Sequence, residues 1–210
     1  MHSPYKLMCI LAHPDDESIA LGGTLAKYAE EGVEISLVVA TRGERGWFGI
    51  PEENPGESAL GSIREMELYA ACNSLGVTRL DFLNYMDGDL DQVDFQRIIA
   101  QLVRIIREVR PQIVVTFGPD GLYGHPDHVA ISQFATAALF HAANASYDAS
   151  VDLPAYQVAK LYYRVASAEW FTRFMPIFGD LVMMIDGQER RPNAWASWSI
   201  TTRIDASAHW

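Results

Sequence analysis

Short apolar runs alternate along this chain with longer segments of helical spacing. Residues 7–11 hold no polar position, the mark of a strand covered on both faces. In residues 18–31, Ile19, Leu21, Leu25, Ala26, Tyr28 and Ala29 recur as in a helix, and Gly32 stops it. Gly22 and Gly23 weaken that helix but let another backbone come close. Residues 35–40 are a second buried strand, 58–75 a helix closed by Gly76, and 80–83 a short third strand. An amphipathic helix over 95–109 ends before Pro111, a fourth strand spans 112–117, and a helix spans 129–143. Strand and helix thus alternate four times. That order predicts one α/β domain over residues 1–210, with a Rossmann-like, doubly wound, mostly parallel sheet. Beyond residue 146 the pattern weakens, and residues 161–165, 181–185 and 199–204 read as three further C-terminal strands. The connection 41–56, rich in glycine and proline, is long enough to be a functional lid.

Composition narrows the class. A net charge of −11 argues against nucleic acid and against an anionic membrane surface as partners. It leaves a small neutral substrate, and a homo-oligomer, open. The two cysteines, Cys9 and Cys72, fall at core positions rather than in a disulfide or thiolate-metal framework. The N-terminus lacks a leader layout and no apolar stretch could span a bilayer, so a cytoplasmic location is expected.

The chemistry concentrates where the first strand ends, in His13, Pro14, Asp15, Asp16 and Glu17. Pro14 suits a helix start, where a missing N–H is no loss. His13 then stands at the strand's carboxyl end, with Asp15 and Asp16 in the first helical turn. Helix capping accounts for one or two of these acids. It does not account for the histidine, or for three adjacent carboxylates whose repulsion favours a cation. A second motif, His125-Pro126-Asp127-His128, follows the fourth strand. In a sheet of order 3-2-1-4, strands one and four are neighbours, and ligands bind outside the strand ends where the winding reverses. His13, Asp16 and His128 then supply three N/O ligands with a fourth position open, as a catalytic zinc requires. The reading fails if the imidazoles of His13 and His128 lie more than about 8 Å apart, since metal bonds span only ~2 Å each.

Other groups take roles around that point. Asp15, next to a ligand but not needed as one, is the candidate general base for a water acidified by the ion. His125, one turn back from His128, is placed as an imidazolium to hold an oxyanion or protonate a leaving amine. Asp127 is the candidate to orient that imidazole, and Tyr123 to donate a hydrogen bond to the oxyanion. Trp47 and Phe48, in the long loop, offer faces for a sugar ring.

With these residues in place, the chain resembles the zinc-dependent N-acetylglucosaminyl deacetylases related to the phosphatidylinositol-glycan class L enzyme (PIG-L). That family includes the LmbE-like proteins and the deacetylases of mycothiol and bacillithiol synthesis. The resemblance rests on residues 12–17 and 124–128, with Thr41-Arg42-Gly43-Glu44, Arg64, Glu67, Ala70 and Leu75-Gly76-Val77 in support. It covers most of residues 6–145 and fades beyond. It implies one Zn2+ on His13, Asp16 and His128, with Asp15 as base, His125 assisting, Tyr123 on the oxyanion and Asp127 as partner of His125. Arg64 and Asp87 fall where some members contact substrate. The implied reaction removes the N-acetyl group from a small N-acetylglucosamine glycoside. Family members continue past the position of Trp210, so the chain is expected to be truncated there, with part of the pocket wall missing.

Two other readings stand beside this one. Two histidines and a carboxylate also make the facial triad of a non-haem iron oxygenase, which metal analysis separates from zinc. The glycine-rich turns suit a non-catalytic nucleotide-binding module, although no Gly-x-Gly-x-x-Gly follows the first strand.

Overall fold

The computed structural model describes residues 5–148, 152–180, 182–185 and 187–209. Residues 1–4, where a leader would begin, Leu181 of the expected strand 181–185, and Trp210 lie outside these.

Strands β1 (Lys6–Leu11), β2 (Glu34–Val39), β3 (Val77–Phe82), β4 (Ile113–Phe117) and β5 (Lys160–Arg164) form one sheet of order β3-β2-β1-β4-β5. Every pairing in it is parallel. The doubly wound sheet expected from the alternation is therefore present, and β5 extends it. Leu7 of β1 pairs with Ile35 on one side and Ile113 on the other, so β1 is central. Its residues Met8 to Leu11 are fully buried, as an all-apolar run between two layers must be.

The helices are α1 (Asp16–Glu30), α2 (Glu57–Leu75), α3 (Phe95–Val109), a one-turn α4 (Gly121–Gly124), α5 (Pro126–Ala143) and α6 (Ala168–Phe178). α1 packs against α2, and α3 against α5; right-handed crossovers place the two pairs on opposite faces of the sheet. Asp94 caps α3 by accepting from the backbone N–H groups of Gln96 and Arg97. The buried Arg107 of α3 donates to the carbonyls of His141, Ala142 and Asn144, satisfying the free end of α5. This clamp fixes the far end of the helix whose first turn carries His128.

Three strands do follow residue 146, but the third is not where alternation placed it. β6 (Met183–Ile185) pairs antiparallel with β7 (Gln188–Arg190). Residues 199–204 are instead the end of a 3-10 turn, Ser197–Ser199, and irregular chain. Thr201, Thr202, Arg203 and Ile204 are all exposed, so that segment has no buried face to hold it as a strand. The helix α6 went unread because Pro176, a breaker, sits inside it. Gly23 does admit another backbone: a Cβ there would stand 2.9 Å from the Cβ of Ala206. Among the described residues no helix is long and apolar enough to cross a membrane.

Candidate metal centre

The site opens at the carboxyl ends of β1 and β4. β1 hands the chain to His13, whose backbone N–H donates to Asp16 Oδ2 at 2.8 Å, with Ala12 N–H adding 3.2 Å to the same oxygen. The helix begins at Asp16, two residues later than Pro14 suggested, because Asp15 takes a left-handed conformation with φ 100°. That backbone is costly for a residue with a Cβ, on the order of 1–2 kcal/mol. It turns the Asp15 and Asp16 side chains to different sides. Across the crevice, His125 caps α5 by accepting the Asp127 N–H on Nδ1 at 3.1 Å, and Pro126 takes the first helical position.

The convergence expected of His13, Asp16 and His128 is found. His13 Nδ1 lies 3.2 Å from His128 Nε2, and the ring centres are 5.2 Å apart. Asp16 Oδ1 is 3.3 Å from His128 Nε2, and Oδ2 is 3.8 Å from His13 Nδ1. All three ligand atoms fall within 4.8 Å of one another. The outer faces of the two rings fix which nitrogens point inward without a proton. His128 Nδ1 is 3.2 Å from the Gly121 carbonyl, so it must be the donor there. His13 Nε2 lies 3.0 Å from Asp127 Oδ2 and 3.0 Å from Asp87 Oδ1, so it too must donate. Once His13 gives up its inner proton, two lone pairs and a carboxylate face one point, an all-acceptor set that a cation satisfies. Phe117 stacks on the His128 ring at 3.9 Å and holds its plane. A grouping of His13, His125 and Asp127 is also close, but the Asp127 carboxylate already serves backbone donors and His125 Nδ1 serves the helix cap.

Electrostatics follow from this crowding. Burial opposes a charge on His13, but Asp127, Asp87 and Asp16 outweigh it and lift the imidazolium to about 10. Asp16 is buried as well, yet His128 and His13 hold it down at about 2. Burial and the neighbouring Asp16 charge push Asp15 up to about 7, against the pull of Arg64 and His13. Its side chain still keeps 43% of its surface open to the crevice. His125 falls to about 4, first through burial and then through the charges of His13 and His128. It is thus a neutral ring whose Nε2 carries the proton, not the imidazolium read from sequence. Burial and nearby carboxylates raise the Tyr123 hydroxyl, and its ring lies 5.9 Å from His125 and 5.3 Å from His128.

Other expectations need correction. The Asp127 carboxylate does not orient His125, which meets only the Asp127 backbone N–H. Asp127 is fully buried, and its carboxylate accepts from Gly88 N at 2.8 Å, Leu90 N at 3.1 Å and His13 Nε2. Asp87 is only 6% exposed and also sits on His13, with its second oxygen on Arg45 N at 3.0 Å, so it is not an open substrate contact. Arg64 spends its guanidinium inside the protein: on the Asp15 carboxylate at 2.7 Å, the Pro14 carbonyl at 2.5 Å and the Gly43 carbonyl at 3.1 Å. Trp47 turns back on its own loop, its indole N–H donating to the Ile50 carbonyl at 3.0 Å. The base of the expected lid is pinned by Arg42 to Glu65 and Asn84, and by Arg45 to Asp89 and Glu57. Sequence reasoning missed the Gly121 carbonyl behind His128. It also gave no role to the buried Glu17, which accepts from the Asp15 N–H at 3.1 Å and so steadies the strained residue.

The chain is similar to known proteins over most of its length. A 1D-myo-inositol 2-acetamido-2-deoxy-alpha-D-glucopyranoside deacetylase of Streptomyces avermitilis is 37% identical, over 96% of this chain and 77% of that protein. The solved N,N'-diacetylchitobiose deacetylase of Pyrococcus horikoshii has a TM-score of 0.64 at 28% identity, over 75% of this chain and 59% of that one. A 4-carboxy-2-hydroxymuconate hydratase of Pseudomonas putida KT2440 has a TM-score of 0.65, over 76% of this chain and 65% of that one, but its 23% identity speaks for the fold alone. This chain therefore spans about three quarters of the Streptomyces relative and roughly three fifths of the two solved proteins. Residues 8–139 match the family model described as PIG-L: GlcNAc-PI de-N-acetylase, and the chain belongs to that family.

Proposed function

We propose that this chain is a cytoplasmic hydrolase that removes the N-acetyl group from a small N-acetylglucosamine-type glycoside, using one zinc ion held by His13, Asp16 and His128. The observation that carries the reading is the inward-facing acceptor set: His13 Nδ1, His128 Nε2 and the Asp16 carboxylate, each fixed from behind. Bound there, zinc supplies a Lewis acid for the amide carbonyl and lowers the pKa of water to about 7.

The remaining steps belong to the protein's own side chains. Asp15, beside the ligands and open to the crevice, accepts the proton of the attacking water. Arg64 clamps that carboxylate and the Pro14 carbonyl behind it, so the base keeps its aim. His125 presents Nε2–H to the amide oxygen as negative charge develops, and Tyr123 adds a second donor. The leaving nitrogen takes a proton as the C–N bond breaks, from Asp15, which returns the one it took from the water. Asp127 and Asp87 hold the His13 tautomer rather than touching substrate. The crevice a nucleotide phosphate would use is lined here by two histidine motifs, and no observation favours the iron-oxygenase reading.

The test is acetate release from N-acetylglucosamine glycosides by protein stripped with chelator and then reloaded with zinc. Release that returns with zinc and is absent without it is expected. Release that survives complete metal removal, or none from any N-acetylated sugar, overturns the reading.

A further inference from the structure

Four carboxylates are buried around the centre. Asp16, Asp87 and Asp127 meet its histidines. Glu17 is only 1% exposed, yet among the described residues it forms no ion pair. It lies close enough to the buried Cys9 and Cys72 that its charge adds to what burial does in raising both thiols. A carboxylate buried without a cation is costly, and an apolar side chain of the same size would serve packing at least as well. Packing therefore does not explain an acid at this position.

Its two oxygens do. Oε1 accepts from the Ser18 hydroxyl at 2.5 Å, and Oε2 turns back to accept the Asp15 N–H at 3.1 Å. This is the reach-back half of a capping box, made here without the other half. Asp15 is the N-cap of α1, but its side chain makes no cap bond and stays available to the crevice. The Asp15 N–H belongs to the same peptide group as the Pro14 carbonyl, which Arg64 holds. Glu17 and Arg64 thus fasten the two ends of one peptide plane. The angle of that plane to the Asp15 Cα is φ, which stands at 100°.

We propose that Glu17 is a positioning residue for the reaction: by fastening the Pro14–Asp15 peptide opposite Arg64, it holds Asp15 in the left-handed backbone that aims its carboxylate into the crevice. This rests on the proposed deacetylase reading, in which Asp15 is the base, and adds the group that aims it. Without Glu17 the peptide can turn, φ of Asp15 relaxes to a negative value, and α1 extends back to Pro14, whose ring suits a helix start. Asp16 keeps the Ala12 and His13 N–H groups, so the metal ligands stay in place.

The experiment compares Glu17→Gln and Glu17→Met with wild type, and Glu17→Met also in an Asp15→Asn background. Gln keeps an oxygen for the Asp15 N–H without the charge; Met keeps the volume without the acceptor. Readouts are KM and kcat for acetate release from the methyl glycoside of N-acetylglucosamine, zinc affinity against a competing chelator, the melting midpoint, and the crystal structure of Glu17→Met. Misplacing a reacting group by about 1 Å costs about 10²-fold, so Glu17→Met should lose about 10–100-fold in kcat, with KM and zinc affinity within about twofold of wild type. Its melting midpoint should stay near that of wild type, and its Asp15 should show a negative φ. Glu17→Gln, with a neutral acceptor roughly half as strong, should keep kcat within about threefold. In the Asp15→Asn background Glu17→Met should change kcat by less than about twofold, since no base remains to be aimed.

An equal fall in kcat for Gln and Met, a fall undiminished in the Asp15→Asn background, or a left-handed Asp15 in Glu17→Met overturns the inference. So does a loss of folding or of zinc affinity in step with kcat, which would assign Glu17 to the fold or the metal. Wild-type kcat in Glu17→Met sinks this inference alone, whereas no acetate release by zinc-loaded wild type from any N-acetylated sugar sinks the deacetylase reading with it.

Discussion

Replacing Asp127 by Ala separates two assignments of one carboxylate. Sequence order pairs it with His125; the structure pairs it with His13 Nε2 at 3.0 Å and with the N–H groups of Gly88 and Leu90. Asp127 has no solvent exposure, so water does not easily replace it. Two backbone donors left unpaired cost about 1–3 kcal/mol each, so the metal-free variant should lose roughly 2–6 kcal/mol. For a chain of this length that lowers the melting midpoint by roughly 5–20 °C. His13 keeps Asp87 but loses one of its two outer partners, and loss of an outer-shell partner weakens metal binding about 10–100-fold. Thermal melts of stripped protein and zinc titration against a competing chelator measure the two effects. Asp127→Asn, which keeps the volume, should fold better and still bind zinc more weakly, because its NH2 group faces a donor. Unchanged zinc affinity in both variants, with only the pH dependence of turnover displaced, would refute the His13 assignment and restore His125.

The other expectations follow from the same contacts. Asp15→Asn should bind zinc as wild type does and lose about 10²–10⁴ in kcat; full activity would remove the assigned base. Arg64→Met should move the acid limb of kcat/KM to higher pH. Asp15 already lies at about 7 with the Arg64 charge pulling it down, so losing that charge raises it further and the basic form is reached later. A limb that stays in place means that Arg64 does not act through Asp15. Zinc uptake by stripped protein at pH 7.5 should release at least one proton, because His13, lifted to about 10, carries an extra one until the ion displaces it and water on the ion is acidified as well. Calorimetry in buffers of different ionisation enthalpy reads this, and a buffer-independent enthalpy contradicts it. Gly23→Val should expose the chain around Ala206 to protease, since even a Cβ meets Ala206 at 2.9 Å; unchanged cleavage would show that the segment is not held there.

What could be read from the residues divides along physical lines. β1, β4 and α3 were legible because burial on two faces leaves an apolar run and burial on one leaves a 3.6 period. The convergence of His13 and His128 was legible because strand order alone makes β1 and β4 neighbours, bringing together histidines 115 positions apart. The partner of Asp127 was misread, although the correct signal was available. Residues two apart on a helix do not face each other. With His125 as the cap of α5, Asp127 must turn away from it, towards the end of β1 where His13 waits. Asp87 and Arg64 had no such local rule. Their partners are chosen by how two loops and a helix pack around His13 and Asp15, and composition does not encode that. The same holds after β5. Trp195 N–H on the Ala166 carbonyl, the Trp195 indole on Asp120, and Ala206 against Gly23 tie that segment to the domain through single contacts far apart in sequence. Such contacts impose no period on the residues between them. Up to residue 143, and again in β5, the chain is held by layers and reads clearly; beyond β5 it is held by points and reads poorly.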